Sequence, residues 1–405
     1  MDIPTGAADF TPPSRLLLGP GPSLVHPRVL RTLSLPLVGH LDPFFLTMMD
    51  EIQELLRNTF RTSNPLTLAV SGTGSAGMEA AIVNIVEPGD TVVVAINGAF
   101  GGRFASMVER CGGHVLRVEA PWGGVIERDV LRETMAKAGR IKAVALVHAE
   151  TSTGVCQPLD GMSALCREHG ALLLVDAVTS LAGMPLEVDA WGIDVCYSGT
   201  QKCLSCPPGL APLTVSPHAF EVMRRRKTPC RSWYLDLMLV SDYWTEGKRI
   251  YHHTAPISML YGLREALRLV HEEGLPARFA RHRANSAALA AGLAELGLHP
   301  LPADEHRLPM LHCVRLPTHI EDAPTRDILL QEYGIEIGGG LGPLKGEVWR
   351  IGLMGESSQQ AHVLTLLNAL EDVFARSGWL LNPGIAVQAA VQAFRAPQES
   401  IRSPA

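Results

Sequence analysis

Leu172-Leu173-Leu174-Val175-Asp176, an apolar run ending in an acid, is followed about 26 residues later by Ser198-Gly199-Thr200-Gln201-Lys202. If both runs lead out of neighbouring strands, one carboxylate and one lysine stand at the same sheet edge. Taken singly, each has an ordinary reading: an acid after a strand often caps the next helix, and a lysine is usually a solvated charge. Together, with small and polar residues around the lysine, they are what pyridoxal phosphate chemistry requires. The cofactor's aldehyde needs a lysine amine for a Schiff base, and its ring nitrogen needs an anion to stay protonated and act as an electron sink.

Outward from this pair, residues 16–260 alternate short apolar runs with helical patterns, the order that builds a mostly parallel sheet covered by helices. Strands are predicted at 67–70, 91–96, 114–118, 143–148, 171–175, 195–198 and 211–215. Most are apolar on both faces, as expected between two helix layers. Met78, Ile82 and Ile85 have helical spacing, and Glu87-Pro88-Gly89-Asp90 stops that helix. A longer pattern over 257–273, with Leu260, Leu263, Leu267 and Val270 on one stripe, leads into a second region. That region reads helix (284–296), strand (310–316), helix, strand (347–351) and helix (359–374), an α+β composition. The domain plan is an arm (1–15), a large α/β domain with a mostly parallel seven-stranded sheet (16–274), a smaller C-terminal α+β domain (275–382) and a tail (383–405). The tail carries a short amphipathic stretch before a polar end.

A chain of 405 residues can bury the cores of two domains, and 46% hydrophobic with 19% charged residues is a globular composition. A net charge of −6, with Arg224-Arg225-Arg226-Lys227 as a single short basic run, argues against a nucleic-acid surface. Eight irregularly placed cysteines, several in apolar stretches (Cys166, Cys196, Cys313), read as reduced residues of a cytoplasmic protein. Cys203-Leu204-Ser205-Cys206 lacks a second pair for zinc and reads as a tight loop; no metal site is expected. Met1-Asp2-Ile3-Pro4-Thr5 has no signal-peptide pattern, and no run approaches the ~20 apolar residues of a membrane helix.

Ser71-Gly72-Thr73-Gly74-Ser75-Ala76-Gly77 follows a strand and opens a helix, so its backbone N–H groups can cradle a phosphate. It also spells G-x-G-x-x-G, the signature of a nicotinamide dinucleotide site. Such a site wants an acid at the end of the next strand, which here ends Ile96-Asn97-Gly98-Ala99-Phe100. An aromatic at that place suits stacking on a flat heteroaromatic ring. His148-Ala149-Glu150-Thr151-Ser152-Thr153-Gly154 offers hydroxyls at a strand's C-terminal edge, Thr151 among them. Arg350, inside a strand-like run, has the fork to hold a substrate carboxylate. In Tyr251-His252-His253-Thr254 the two histidines should point different ways, which does not make a metal site. An NAD-dependent dehydrogenase and a non-catalytic pyridoxal phosphate carrier stand as readings from other classes.

Gly19-Pro20-Gly21-Pro22, the loops at 71–77 and 148–154, Leu174-Val175-Asp176, Ser198 to Lys202 with Pro207-Pro208-Gly209, Tyr251 to Thr254, Gly339-Gly340-Leu341-Gly342 and Arg350-Ile351-Gly352 together resemble the class V aminotransferases of fold type I. Within them the chain is most similar to the alanine-glyoxylate and serine-pyruvate subgroup, over residues 16–379. The resemblance implies that Lys202 forms the Schiff base and that Asp176 pairs with the ring nitrogen. Phe100 would stack on the ring, Thr73, Gly74, Ser75 and Gln201 hold the phosphate, and Thr151 the ring hydroxyl. Arg350 would take the substrate carboxylate, with Gly21 and His40 on the substrate side. Tyr251 and Thr254 would reach the phosphate of a neighbouring subunit, which implies a homodimer with shared active sites. The implied reaction is a ping-pong transamination from alanine or serine to glyoxylate or pyruvate. Ureidoglycine-glyoxylate and pyridoxamine-pyruvate transamination stay open, because Leu41 stands where many relatives carry a basic residue and Ser75 where animal enzymes carry histidine. Cysteine desulfuration is disfavoured: residues 338–342 hold no cysteine.

Overall fold

The computed structural model describes residues 11–245, 247–379 and 382–396; the first ten residues of the expected arm and the polar end after 396 lie outside them. All seven predicted strands form one sheet: β1 (Leu66–Ser71), β2 (Thr91–Ile96), β3 (His114–Glu119), β4 (Ala143–Val147), β5 (Leu172–Asp176), β6 (Val195–Tyr197) and β7 (Leu210–Val215). Their order is β3-β2-β4-β5-β6-β7-β1, parallel except that β7 runs antiparallel to both neighbours. Every residue of β4 and β5 is buried, as the unbroken apolar runs require. β3 departs from that pattern because it is an edge strand, and His114, Arg117 and Glu119 reach solvent.

Helices enter where the chain leaves the carboxyl end of the sheet. After β1 comes α1 (Gly74–Ile85), and after β2 comes α2 (Ala99–Arg110). Downstream, α3 (Ile257–Glu273) ends at Gly274, and α4 (Leu275–Glu295) starts at once. α4 begins nine residues before its predicted start, because Arg278 and His282 on its buried face mask the apolar stripe. The structure satisfies them instead: Arg278 donates from Nε to the Ala182 carbonyl at 3.1 Å, and the His282 Nε2 accepts from the Gly355 N–H at 3.0 Å.

The second region is built on β8 (Leu311–Arg315), β9 (Gly338–Gly339) and β10 (Val348–Gly352), antiparallel in the order β8-β10-β9. It is covered by α4, α5 (Gln360–Arg376) and α6 (Ile385–Arg395). Two boundaries of the domain plan shift. The stretch from 383, expected as a tail, carries α6 into the second core, where the small Ala386 and Ala390 are fully buried against α4. At the other end, Leu16–Leu17 pairs in parallel with Ile335–Glu336, and Leu18 is buried in that same core, so residues 16–18 pack with the smaller region.

The α4–α6 contact supplies a test. Replacing a mid-helix glycine by alanine ordinarily gains about 1 kcal/mol. At Gly292, however, an added Cβ would meet the Leu367 side chain and stand 2.9 Å from the Ala386 carbonyl oxygen. Overpacking of this kind costs about 1–3 kcal/mol. Gly292→Ala is therefore expected to lower the thermal midpoint, and a rise would mean that α6 does not pack as described.

Candidate active site

A cavity of about 510 Å³, open mouth included, lies at the carboxyl edge of the sheet. Thr73, Gly74 and Ser75 line it from the start of α1, Phe100 from α2, Thr151 from the loop after β4, Asp176 from the end of β5, and Gln201 and Lys202 from the loop after β6. Eight of the residues singled out in the sequence thus meet in one place, where open α/β sheets bind their ligands.

Parallel register sets Asp176 beside Tyr197, so the two side chains share a face and the Tyr197 hydroxyl donates to Asp176 Oδ2 at 2.8 Å. The Val178 N–H donates to Oδ1, also at 2.8 Å. Burial outweighs both bonds and raises the Asp176 carboxyl to about 6. Lys202 is shifted toward neutrality as well: enclosure of the amine, then the positive charge of Arg350, lowers it to about 8. Its Nζ donates to the Pro20 carbonyl, and Gly21, at φ 112°, has no room for a side chain, since a Cβ would stand 2.7 Å from that nitrogen.

Thr73 is the N-cap of α1, yet its hydroxyl makes no capping bond. The Ala76 N–H already donates to the Thr73 carbonyl at 2.7 Å, but the Gly74 and Ser75 N–H groups have no backbone acceptor, and these two residues line the cavity at the positive end of the helix. Phe100 is held from behind by Glu150, whose Oε2 accepts from the Phe100 N–H at 3.0 Å and the Gly101 N–H at 3.2 Å, while Oε1 accepts from the Ser152 N–H and hydroxyl. Burial pushes the Glu150 carboxyl up against these bonds. Glu150, Tyr197 and Arg103 are the residues that sequence reasoning missed. A lone acid in the otherwise small and hydroxylic 148–154 loop was the available signal for the first.

Arg350 lies on β10, buried, with Nε donating to the Gly339 carbonyl at 2.7 Å and Nη1 to the Thr151 carbonyl at 3.4 Å. It has no carboxylate partner among the described residues, as an anion-binding arginine should not. His40, Tyr251 and Thr254 do not line the cavity of their own chain, nor do Gly21 and Arg350, which border it through Lys202 and the Thr151 carbonyl. The His40 ring packs 5.1 Å from that of Tyr251, and the Tyr251 and Thr254 hydroxyls are 3.5 Å apart. His252 and His253, expected to diverge, face each other with Nδ1 atoms 2.7 Å apart, because this segment is irregular. His252 Nε2 meets the Trp233 carbonyl, which only accepts, so His252 receives at Nδ1 and His253 in turn receives from the Ser71 hydroxyl at 2.7 Å. This relay ties the 251–254 segment to the start of the phosphate cradle.

Residues 37–345 match the family described as aminotransferase class-V. The chain belongs to the class-V aminotransferases. It is 50% identical to the alanine–glyoxylate aminotransferase of Nostoc sp., with a TM-score of 0.89 over 91% of this chain and 97% of that one. To the ureidoglycine-glyoxylate aminotransferase of Bacillus subtilis it is 42% identical, with a TM-score of 0.94 over 96% and 100%. To the pyridoxamine-pyruvate aminotransferase of Mesorhizobium loti it is 29% identical, with a TM-score of 0.88 over 94% and 96%. This class-V aminotransferase is therefore a pyridoxal phosphate-dependent enzyme of fold type I.

Its residues fit that cofactor. One end of the Gln201 side-chain amide is buried without a hydrogen-bond partner, and with the amide turned over its NH2 would stand there as a donor to a phosphate. Asp176 is a carboxylate whose burial is uncompensated unless a cation joins it, and a protonated ring nitrogen is such a cation. The enzyme also offers the ring an aromatic face at Phe100.

The Asp176 shift has a measurable consequence for the cofactor-free class-V enzyme. Its folded value of about 6 stands above the ordinary 3.8, so between those pH values the folded protein keeps a proton that the unfolded chain has released. Stability falls as the pH rises through that window, and the loss, on the order of 3 kcal/mol, is complete above about pH 6. Asp176→Asn should therefore raise the thermal midpoint of the cofactor-free enzyme at pH 7.5, by an amount that shrinks toward pH 4, while weakening cofactor retention. A variant less stable than wild type at pH 7.5 would refute the uncompensated charge.

Proposed function

We propose that this aminotransferase moves the amino group of a small amino acid, alanine or serine, to glyoxylate or pyruvate. The carrying observation is that one buried arginine without a carboxylate partner among the described residues, Arg350, donates to the carbonyl of Thr151, a residue of the cavity wall that Lys202 also lines. One such fork suits a monocarboxylic substrate with a short side chain, and 50% identity to an alanine–glyoxylate aminotransferase supports the same reading.

Bound pyridoxal phosphate supplies an aldehyde that takes up the amino group and an electron-poor ring that accepts the electron pair released at the substrate α-carbon. Arg350 pairs with the substrate carboxylate and turns the α-hydrogen toward Lys202, a positioning effect. Lys202, neutral for part of the time near its value of about 8, would take that proton at Nζ and deliver it to the carbon that carried the cofactor's aldehyde. Asp176 holds the proton on the ring nitrogen by its negative charge. Glu150 fixes Phe100, and Phe100 restricts the ring.

We assign Tyr251 and Thr254 to the cavity of a second copy, making a homodimer with shared sites. Tyr251 is 54% exposed, and Leu37, Phe44, Trp233 and Ile250 are exposed apolar side chains of the same chain that a partner would cover. No helix among the described residues is long and apolar enough to cross a membrane; a cytoplasmic location is proposed on the eight cysteines, all of them free.

A panel of alanine, serine, ureidoglycine and pyridoxamine against glyoxylate and pyruvate tests the substrate pair. Alanine or serine with glyoxylate or pyruvate should give the highest kcat/KM, and ureidoglycine exceeding both would replace this reading. Arg350→Gln should lower kcat/KM for carboxylate-bearing donors by about 10–100-fold, the scale of a lost charge-assisted pair, with the visible cofactor band unchanged. An equal loss for pyridoxamine, which has no carboxylate, would remove Arg350 from that role.

A further inference from the structure

We propose that Arg103 is the cationic partner of the cofactor's phosphate, an assignment that rests on the cofactor reading of this cavity. Arg103 lies one turn after Phe100 on α2 and lines the cavity together with Thr73, Gly74 and Ser75. Two contacts hold its guanidinium at the cradle: Nη1 donates to the Ser75 hydroxyl at 2.9 Å, and the group lies over the Phe100 ring, 4.9 Å from its centre. It makes no ion pair with any carboxylate among the described residues.

The charge balance of the cavity singles it out. Its ionisable lining consists of Arg103, Asp176 and Lys202. Lys202 must bond to the aldehyde and carry protons, and Asp176 serves the ring nitrogen. A phosphate monoester brings about −1.5 to −2 charge at neutral pH, against the roughly +0.5 of a helix N-terminus. Ser75, Thr73 and Gln201 are neutral donors and leave most of that charge uncompensated. Arg103 stands against the cradle with donors to spare, because a guanidinium has five and one is used here on Ser75.

The experiment titrates cofactor-free wild type, Arg103→Gln and Arg103→Lys with pyridoxal phosphate and, separately, with pyridoxal, which lacks the phosphate. Binding is followed by absorbance and tryptophan fluorescence at low and high salt, with thermal midpoints of the cofactor-free proteins as the folding control. Arg103 is exposed, so the expected loss in Arg103→Gln is about tenfold in pyridoxal phosphate affinity at low salt, shrinking at high salt. Pyridoxal should bind wild type and variant alike, and Arg103→Lys should fall between. Equal weakening of both ligands would make Arg103 a support for Phe100 and overturn the proposal. So would unchanged binding of both, with or without a raised KM for substrate. Wild type that binds pyridoxal phosphate while Arg103→Gln matches it sinks this proposal alone; wild type that binds neither ligand sinks the cofactor reading along with it.

Discussion

Burial of two opposite ionisable groups around one cavity is the constraint on which the rest of the molecule depends. Asp176 and Lys202 are each driven toward their neutral forms by the loss of water, to about 6 and about 8, although they differ in sign and line the same space. Their mutual attraction is too weak to offset desolvation, so neither is settled by the other. A ligand with a cationic ring nitrogen and an electrophilic carbonyl answers both needs together. The surrounding bonds serve to keep the two groups from relaxing by other means: Tyr197 and Val178 fix the carboxylate, and the Pro20 carbonyl receives the amine.

Why some of this was readable in the chain and some was not follows from where the information lies. β4 and β5 are apolar at nearly every position because helices cover both faces, and short unbroken runs of that kind are visible without knowing any partner. Lys202, Asp176, Thr73 and Phe100 were readable because each follows a strand and so falls at one sheet edge. Glu150 and Tyr197 were not, because their value depends on a neighbour supplied by another element: Tyr197 matters through its register with Asp176, and Glu150 through the N–H groups of α2. The early start of α4 was hidden by Arg278 and His282, whose burial depends on carbonyl and N–H partners more than 70 positions away along the chain. α6 looks like part of a tail, and Leu16–Leu18 like the start of the large domain, until the second core is assembled around them.

That misread N-terminal stretch joins the two halves of the chemistry. Leu16–Leu17 is zipped to Ile335–Glu336, and the Leu18 carbonyl accepts from the Gly352 N–H at 2.7 Å, two residues from Arg350. A few residues on, Pro20 receives the Lys202 amine, the Ser23 N–H donates to the Gln201 carbonyl at 2.9 Å, and the Ser23 hydroxyl donates to the Lys202 carbonyl at 2.8 Å. A strap of about seven residues therefore runs from the strand that carries Arg350, the proposed carboxylate anchor, to the loop that carries Lys202. Arg350 also donates to the Thr151 carbonyl at the cavity wall, so it is referenced to the large sheet twice, through the strap and directly. Proton transfer at a substrate α-carbon is sensitive to displacements of an ångström or so between the carboxylate anchor and the base. Because those two groups belong to different cores, their spacing could drift with any motion between the cores unless something short spanned them. The strap spans them, which accounts for Gly21 being squeezed against the Lys202 amine: the chain must pass there to connect both cores, and only a residue without a side chain leaves the amine room to work.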